Sequence, residues 1–217
     1  MTSELLKSFE EKQISKDILY AKVVENFGLL PEVLKGVDSS KASVRYGCSK
    51  VLTSLSANYP KQLYPYIDEF FTRLESKHRI LVWNTLATIA NLATVDSDKK
   101  IDAQFERICS FMNNEYMITV ANSIGSLGKI AQTKPYLIPQ TTTELLRIEN
   151  LTTTPHLTEE CKLVLAERTL KALDEFGSKI DDEEKFRMLS FAKRCKNSKR
   201  KSLSNKAELF LKKWGKN

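Results

Sequence analysis

Within residues 42–57, apolar side chains fall at Val44, Cys48, Val51, Leu52 and Leu55, the three- and four-residue steps of one helix face. Pro60 cannot continue that helix. A second amphipathic stretch follows, with Leu63, Ile67, Phe70, Phe71 and Leu74 on one side. Residues 41–74 therefore predict a helical hairpin.

The same pattern recurs along the chain. One apolar row reads Leu52, Ile89, Leu127, Leu170 and Leu211, and a second reads Leu55, Leu92, Ile130, Leu173 and Trp214. Both rows advance by 37, 38, 43 and 41 residues. A period of that length marks structural repeats, each burying its apolar face against its neighbours.

The flanking segments fit such a stack. Residues 3–11 predict a short helix whose Leu5, Leu6 and Phe9 cover the open end. Ser15 is placed to cap a helix that runs to Phe27, with Ile18, Ala21 and Val24 inward, and Gly28 ends it. Pro31 opens a short helix to Gly36. Residues 80–93 are apolar almost all round, as expected of a helix covered on both sides. Ile101, Phe105, Ile108, Cys109 and Met112 mark its partner, and the next helix spans 116–132. Close packing is expected to explain Gly125 and Gly128 within it. Thr141-Thr142-Thr143 weakens the helix that follows Pro135 and Pro139. Residues 150–156 form a loop insertion. Thr158 is expected to cap the next helix, which Gly177 ends, and Asp181 with Glu184 forms a capping box for another. Residues 196–202 then form a basic linker, and 205–214 a closing helix. The whole chain, 1–217, is expected to be one domain: a capping segment at 1–14, repeats over 15–195, and the linker with its closing helix over 196–217.

Composition narrows the class. With 7 Gly and 6 Pro in 217 residues and no strand-like alternation, the expected fold is all-α, a right-handed α-α superhelix of about five antiparallel hairpins. No apolar run is long enough to cross a bilayer. Met1-Thr2-Ser3-Glu4 opens a polar segment unlike a signal peptide. The four cysteines, Cys48, Cys109, Cys161 and Cys195, make no CxxC pair and read as buried reduced thiols, so a cytoplasmic location is expected.

Paired helices with this period resemble HEAT and armadillo-type repeats. Asp38 in the turn and Val44-Arg45 at the helix start look most HEAT-like. Later copies keep the Val and lose the Arg, as Val82-Trp83 and Val120-Ala121. The resemblance implies an α-solenoid whose second helices line a concave face that holds proteins or, less often, nucleic acids. It also brings in the HEAT-like alkylpurine DNA glycosylases, which need an acid among concave aromatics. Trp83 with Tyr46 or Tyr66 supplies aromatics, but Trp83 reads as core and no lone acid stands beside them.

Other chemistry is sparse. His78 and His156 fall in separate loops, and neither has a partner one helical turn away. The segment Gly125-Ser126-Leu127-Gly128-Lys129 lacks the spacing of a phosphate loop. No catalytic residue, metal, cofactor or small-molecule substrate is expected.

Charge adds two candidate surfaces. The chain carries 34 Lys and Arg against 27 Asp and Glu. The excess lies in residues 185–217, where Glu208 is the lone acid. Arg194, Lys196, Lys199, Arg200 and Lys201 form a basic patch there, expected to be exposed and open to nucleic acid or an acidic protein. Separately, Arg73, Arg107, Arg147 and Arg187, with Tyr66, Gln104 and Gln140 a turn or two earlier, form a polar row on successive second helices, expected on the concave face. The expected function is a non-enzymatic scaffold for a protein partner. Nucleic-acid binding through the basic end and base excision are the alternatives.

Overall fold

The computed structural model describes residues 4–215. Met1, Thr2 and Ser3, where the first expected helix and the polar opening begin, and Lys216 of the basic end lie outside the described residues. No strand forms among the described residues, and the β-type pairing there is an antiparallel bridge between Thr154 and Leu157. The chain divides into two compact units, Met1–Ile101 and Asp102–Asn217.

The first unit carries α1 (Glu4–Glu10), α2 (Lys16–Glu25), α3 (Leu30–Gly36), α4 (Ala42–Asn58), α5 (Pro60–Leu63), α6 (Ile67–Arg73) and α7 (Arg79–Leu92). Ser15 caps α2 by accepting from the Ile18 amide at 3.2 Å. The buried face of α2 is Leu19 and Val23, not Ile18, Ala21 and Val24; Ile18 is 46% exposed. In so short a helix, apolar residues on both sides leave the inward face to tertiary packing. The expected single helix over 63–74 is broken at a 3-10 turn, Tyr64–Tyr66, where Pro65 has no amide hydrogen to donate.

Helices α4 and α7 pack side by side along a seam of small polar groups. Asn84 Nδ2 donates to Ser49 Oγ at 2.8 Å. Asn91 Nδ2 donates to Ser56 Oγ at 2.8 Å and to the Thr53 carbonyl at 3.2 Å. The hydroxyls of Thr53 and Thr88 are 3.2 Å apart. Such polar groups are tolerated inside because each finds a partner.

A short helix, α8 (Lys100–Ala103), spans the boundary. The second unit continues with α9 (Phe105–Ser110), α10 (Met117–Thr133), α11 (Ile138–Leu146), α12 (Glu159–Phe176), α13 (Asp182–Lys196) and α14 (Lys201–Trp214). Helix α12 packs between α10 and α14. Gly128 permits this closeness: a Cβ there would lie 2.8 Å from Ala172 Cβ. Gly125 is different. Nothing lies within 4 Å of its would-be Cβ, so packing does not explain it. The threonine run does not break α11, because Ile138, Thr141, Thr142 and Leu145 are all buried in the repeat.

Thr158 and Asp181 cap α12 and α13, accepting from the amides of Cys161 and Glu184. The Glu184 carboxylate pairs with Arg187 at 2.8 Å. The closing helix begins at Lys201, four residues earlier than the sequence implied, because Leu203 is buried and draws its first turn into the core. Both apolar rows form the core: every member is 2% exposed or less, except the half-buried Leu211 and Trp214.

Candidate binding face

The expected arginine row divides between the two units, and its members are engaged within the fold to different degrees. Tyr66 and Arg73 belong to the first. Arg73 ends α6 with its side chain only 12% exposed. It donates to the Leu34 carbonyl at 3.2 Å, to Asp38 at 3.4 Å and to Glu69 at 3.0 Å. This corrects the expectation of an open surface donor: Arg73 bolts α6 to the end of α3. It also gives Asp38 its cation, while Arg45 turns to the carbonyls of Ser39 and Ser40.

In the second unit, Arg107 lies 3.4 Å from Gln104 Oε1. Arg147 pairs with Glu144 at 2.9 Å and stays exposed, as does Gln140. Arg187 links α13 to α11 by donating to Thr143 Oγ1 at 2.9 Å. These side chains sit on the second helices of the hairpins, α9, α11 and α13, or at their ends.

The basic patch is also largely matched by acids. Arg194 makes two 2.7 Å hydrogen bonds to Glu149. Arg200 is half-buried and is held by Glu160 and Glu167, so it is not the free linker charge expected. Lys196 lies 3.9 Å from Glu208. Lys199 and Lys201 are exposed, and Lys201 lies in the first turn of α14.

Glu167, which sequence reasoning passed over, organises this end. It is 8% exposed and accepts from Arg200 Nε at 2.6 Å, from Lys206 Nζ at 2.8 Å and from the Ser202 hydroxyl. Burial alone would raise its carboxyl, but the hydrogen bonds from Lys206, Ser202 and Arg200 outweigh burial and hold it down at about 2.

A second set of cations is presented outward on the long helices of this unit. The exposed side of α10 carries Ile118, Asn122, Gly125, Lys129 and Gln132, and that of α12 carries Val164, Arg168, Lys171 and Glu175. Lys129 and Lys171 both act on Glu175, so the two stripes adjoin there. Beside them, α12 and α14 enclose a trough of about 240 Å³. Leu170 and Phe210 line it, with Lys171, Asp174, Lys206, Leu209 and Lys213 around them. Lys213 Nζ and Trp214 Nε1 each donate to Asp174 Oδ1 at 2.7 Å. Leu209 is 67% exposed. Arg168 and Lys171 make no salt bridge to any described residue. Their three-residue spacing on α12 was a signal available in the sequence.

The remaining reactive groups are quiet. Burial pushes the thiols of Cys48, Cys109 and Cys195 up to about 12. Cys161 is half-buried, and all four cysteines are free. His156 stacks on Tyr116 with ring centroids 4.6 Å apart, and His78 meets the edge of Tyr46. No cluster of metal-ligating side chains forms among the described residues. No helix among them is long and apolar enough to cross a membrane.

Solved structures match this fold along nearly its whole length. The fold is that of armadillo repeats. One designed armadillo repeat protein superposes with a TM-score of 0.62 over 96% of this chain and 90% of its own, at 14% identity. Another, solved in complex with the peptide (KR)4, gives 0.65 over 97% and 91%, also at 14% identity. No protein-family model matches the chain, and no curated protein does. The all-α helical-repeat class expected from the apolar rows is therefore the class observed.

Proposed function

We propose that this chain is a non-catalytic scaffold that holds a segment of a partner protein against the exposed stripes of α10, α12 and α14. The observation that carries this reading is the outward face of α10, α12 and α14. It combines cations, of which Arg168 and Lys171 make no salt bridge to any described residue, with exposed apolar side chains and a trough, whereas Arg73 and Arg187 are tied into the fold. Likeness to a designed repeat protein in complex with a peptide supports a binding role for such a fold. Base excision finds less support: Tyr46, one of the candidate aromatics, has Arg45 over its ring and His78 at its edge, and both are poor substitutes for the acid that chemistry needs. Binding of nucleic acid through the basic end is weakened by the carboxylates that meet Arg194 and Arg200.

Panning a random-peptide display library against the immobilised full chain tests the scaffold reading. Enrichment of a sequence class, with competition by soluble protein, is the expected result. A folded chain that enriches no peptide class overturns it.

A further inference from the structure

We propose that the partner segment is an acidic, extended peptide with interspersed apolar side chains, and that it crosses the outward stripes of α10, α12 and α14. This rests on the scaffold reading above and adds the chemistry of the occupant.

Charge complementarity is the first ground. The face presents Lys129, Arg168, Lys171, Lys206 and Lys213. Against them stand Glu175, Asp174 and the buried Glu167, of which the last two are already engaged by Lys213 and by Arg200 with Lys206. Those pairings hold Lys206 and Lys213 at the rim of the trough while both side chains stay about half exposed. A carboxylate arriving there meets cations whose positions are already fixed, so less ordering opposes binding. A basic segment such as (KR)4 would meet like charge.

The trough supplies the apolar requirement. Leu170 and Phe210 underlie it and Leu209 stands exposed above, in a space of about 240 Å³ that admits a side chain or two. Carboxylates at Asp174 and Glu175 lie among the lysines. A polyphosphate, charged at every unit and without apolar side chains, would oppose those acids and leave the trough unfilled. A peptide can place a carboxylate or an aliphatic group where each is wanted.

Gly125 is the independent observation. A glycine inside an exposed helix costs about 0.5–1 kcal/mol relative to alanine. The usual compensation, close approach of a neighbour within the fold, is missing here because nothing lies within 4 Å of its Cβ position. The dent it leaves lies on the same stripe as Asn122 and Lys129. A partner backbone can approach the α10 backbone there, with the Asn122 amide beside it.

Helix spacing sets the register of the partner. Packed helices lie 8–10 Å apart and an extended chain rises about 3.3 Å per residue, so contacts should recur about every three residues of the peptide.

The test is fluorescence polarisation with the full chain and a labelled synthetic peptide carrying Glu at every third position and Leu between. The (KR)4 peptide and an oligothymidylate serve as comparison probes. Binding of the acidic peptide should weaken as salt rises. The double variant Arg168→Glu/Lys171→Glu should lose about tenfold or more in affinity. Gly125→Leu and Leu209→Ser should each weaken binding with the helical signal kept and no marked fall in melting temperature, since these sites are exposed and leucine favours the helix over glycine. Equal binding of (KR)4, or wild-type affinity in all these variants, would overturn the proposal. Tighter binding of oligothymidylate, lost in the same variants, would make the face a nucleic-acid surface and also overturn it. If the display library enriches only basic or neutral peptides, this chemistry fails and the scaffold reading stands. If it enriches nothing, the scaffold reading itself fails.

Discussion

Arg200 Nε lies 2.6 Å from Oε1 of Glu167, a contact between the start of α14 and the middle of α12 across 33 residues of sequence. The carboxylate beneath it is buried, so the guanidinium replaces water that Glu167 has lost. Arg200→Ala should therefore destabilise the fold by about 1–3 kcal/mol, with Lys206 limiting the loss. This differs from the sequence-based picture, in which Lys199, Arg200 and Lys201 are exposed charges of a basic linker. A double-mutant cycle with Glu167→Gln in urea denaturation checks the point. Arg200→Ala should cost distinctly less in the Glu167→Gln background, and equal costs in both would mean the contact contributes nothing.

Acid should loosen the same contact. Glu167 titrates at about 2 in the folded chain, below its ordinary 4.5. Its folded pKa is depressed, so its contribution is fully present above the unfolded value and disappears as pH falls through the folded one. That window runs from about pH 4.5 down to about pH 2, and the contribution is about 3 kcal/mol at most. Stability measured across this range should fall less steeply for Glu167→Gln than for the wild type.

The two glycines of α10 should respond oppositely to alanine. Gly128→Ala forces a Cβ to within 2.8 Å of Ala172 Cβ and 3.2 Å of its Cα, so it should destabilise the fold. Gly125→Ala meets nothing and should raise stability by about 0.5–1 kcal/mol through helix propensity. Thermal melts of the two variants read the sign directly.

Ile89 and Leu127 are completely buried members of one apolar row. Truncating either to Ala should cost about 2–5 kcal/mol. Losses below about 1 kcal/mol at both sites would mean the rows do not hold the repeats together.

What the sequence made legible is local and periodic. The rows through Leu52 and Leu55 emerged because helix period and repeat period coincide at buried positions. The caps Ser15, Thr158 and Asp181 emerged because each acts within three residues of itself. The inward face of α2 was misread because Ile18, Leu19, Val23 and Val24 are equally apolar and only the fold ranks them. The charge pattern was misread for a different reason. Glu149, Glu160 and Glu167 meet Arg194 and Arg200 from 33 to 45 residues away, and no local count of basic residues registers that pairing. The face proposed above has a weaker signature in the sequence than the arginine row. Its informative members are Lys171, the exposed Leu209, and a glycine that contacts nothing.

The ion cluster at Glu167 also bears on how this end of the chain comes apart. Helix α14 is joined to α12 by Arg200, Lys206 and Lys213 as well as by Leu203, Ala207 and Phe210. Charged contacts weaken with ionic strength, whereas apolar ones do not. The protection of α14 backbone amides against deuterium should therefore decline with added salt before that of α10, whose buried contacts are dominated by apolar side chains. The last helix would then act as a salt-tuned latch, and its opening would uncover the side of α12 that carries Leu170.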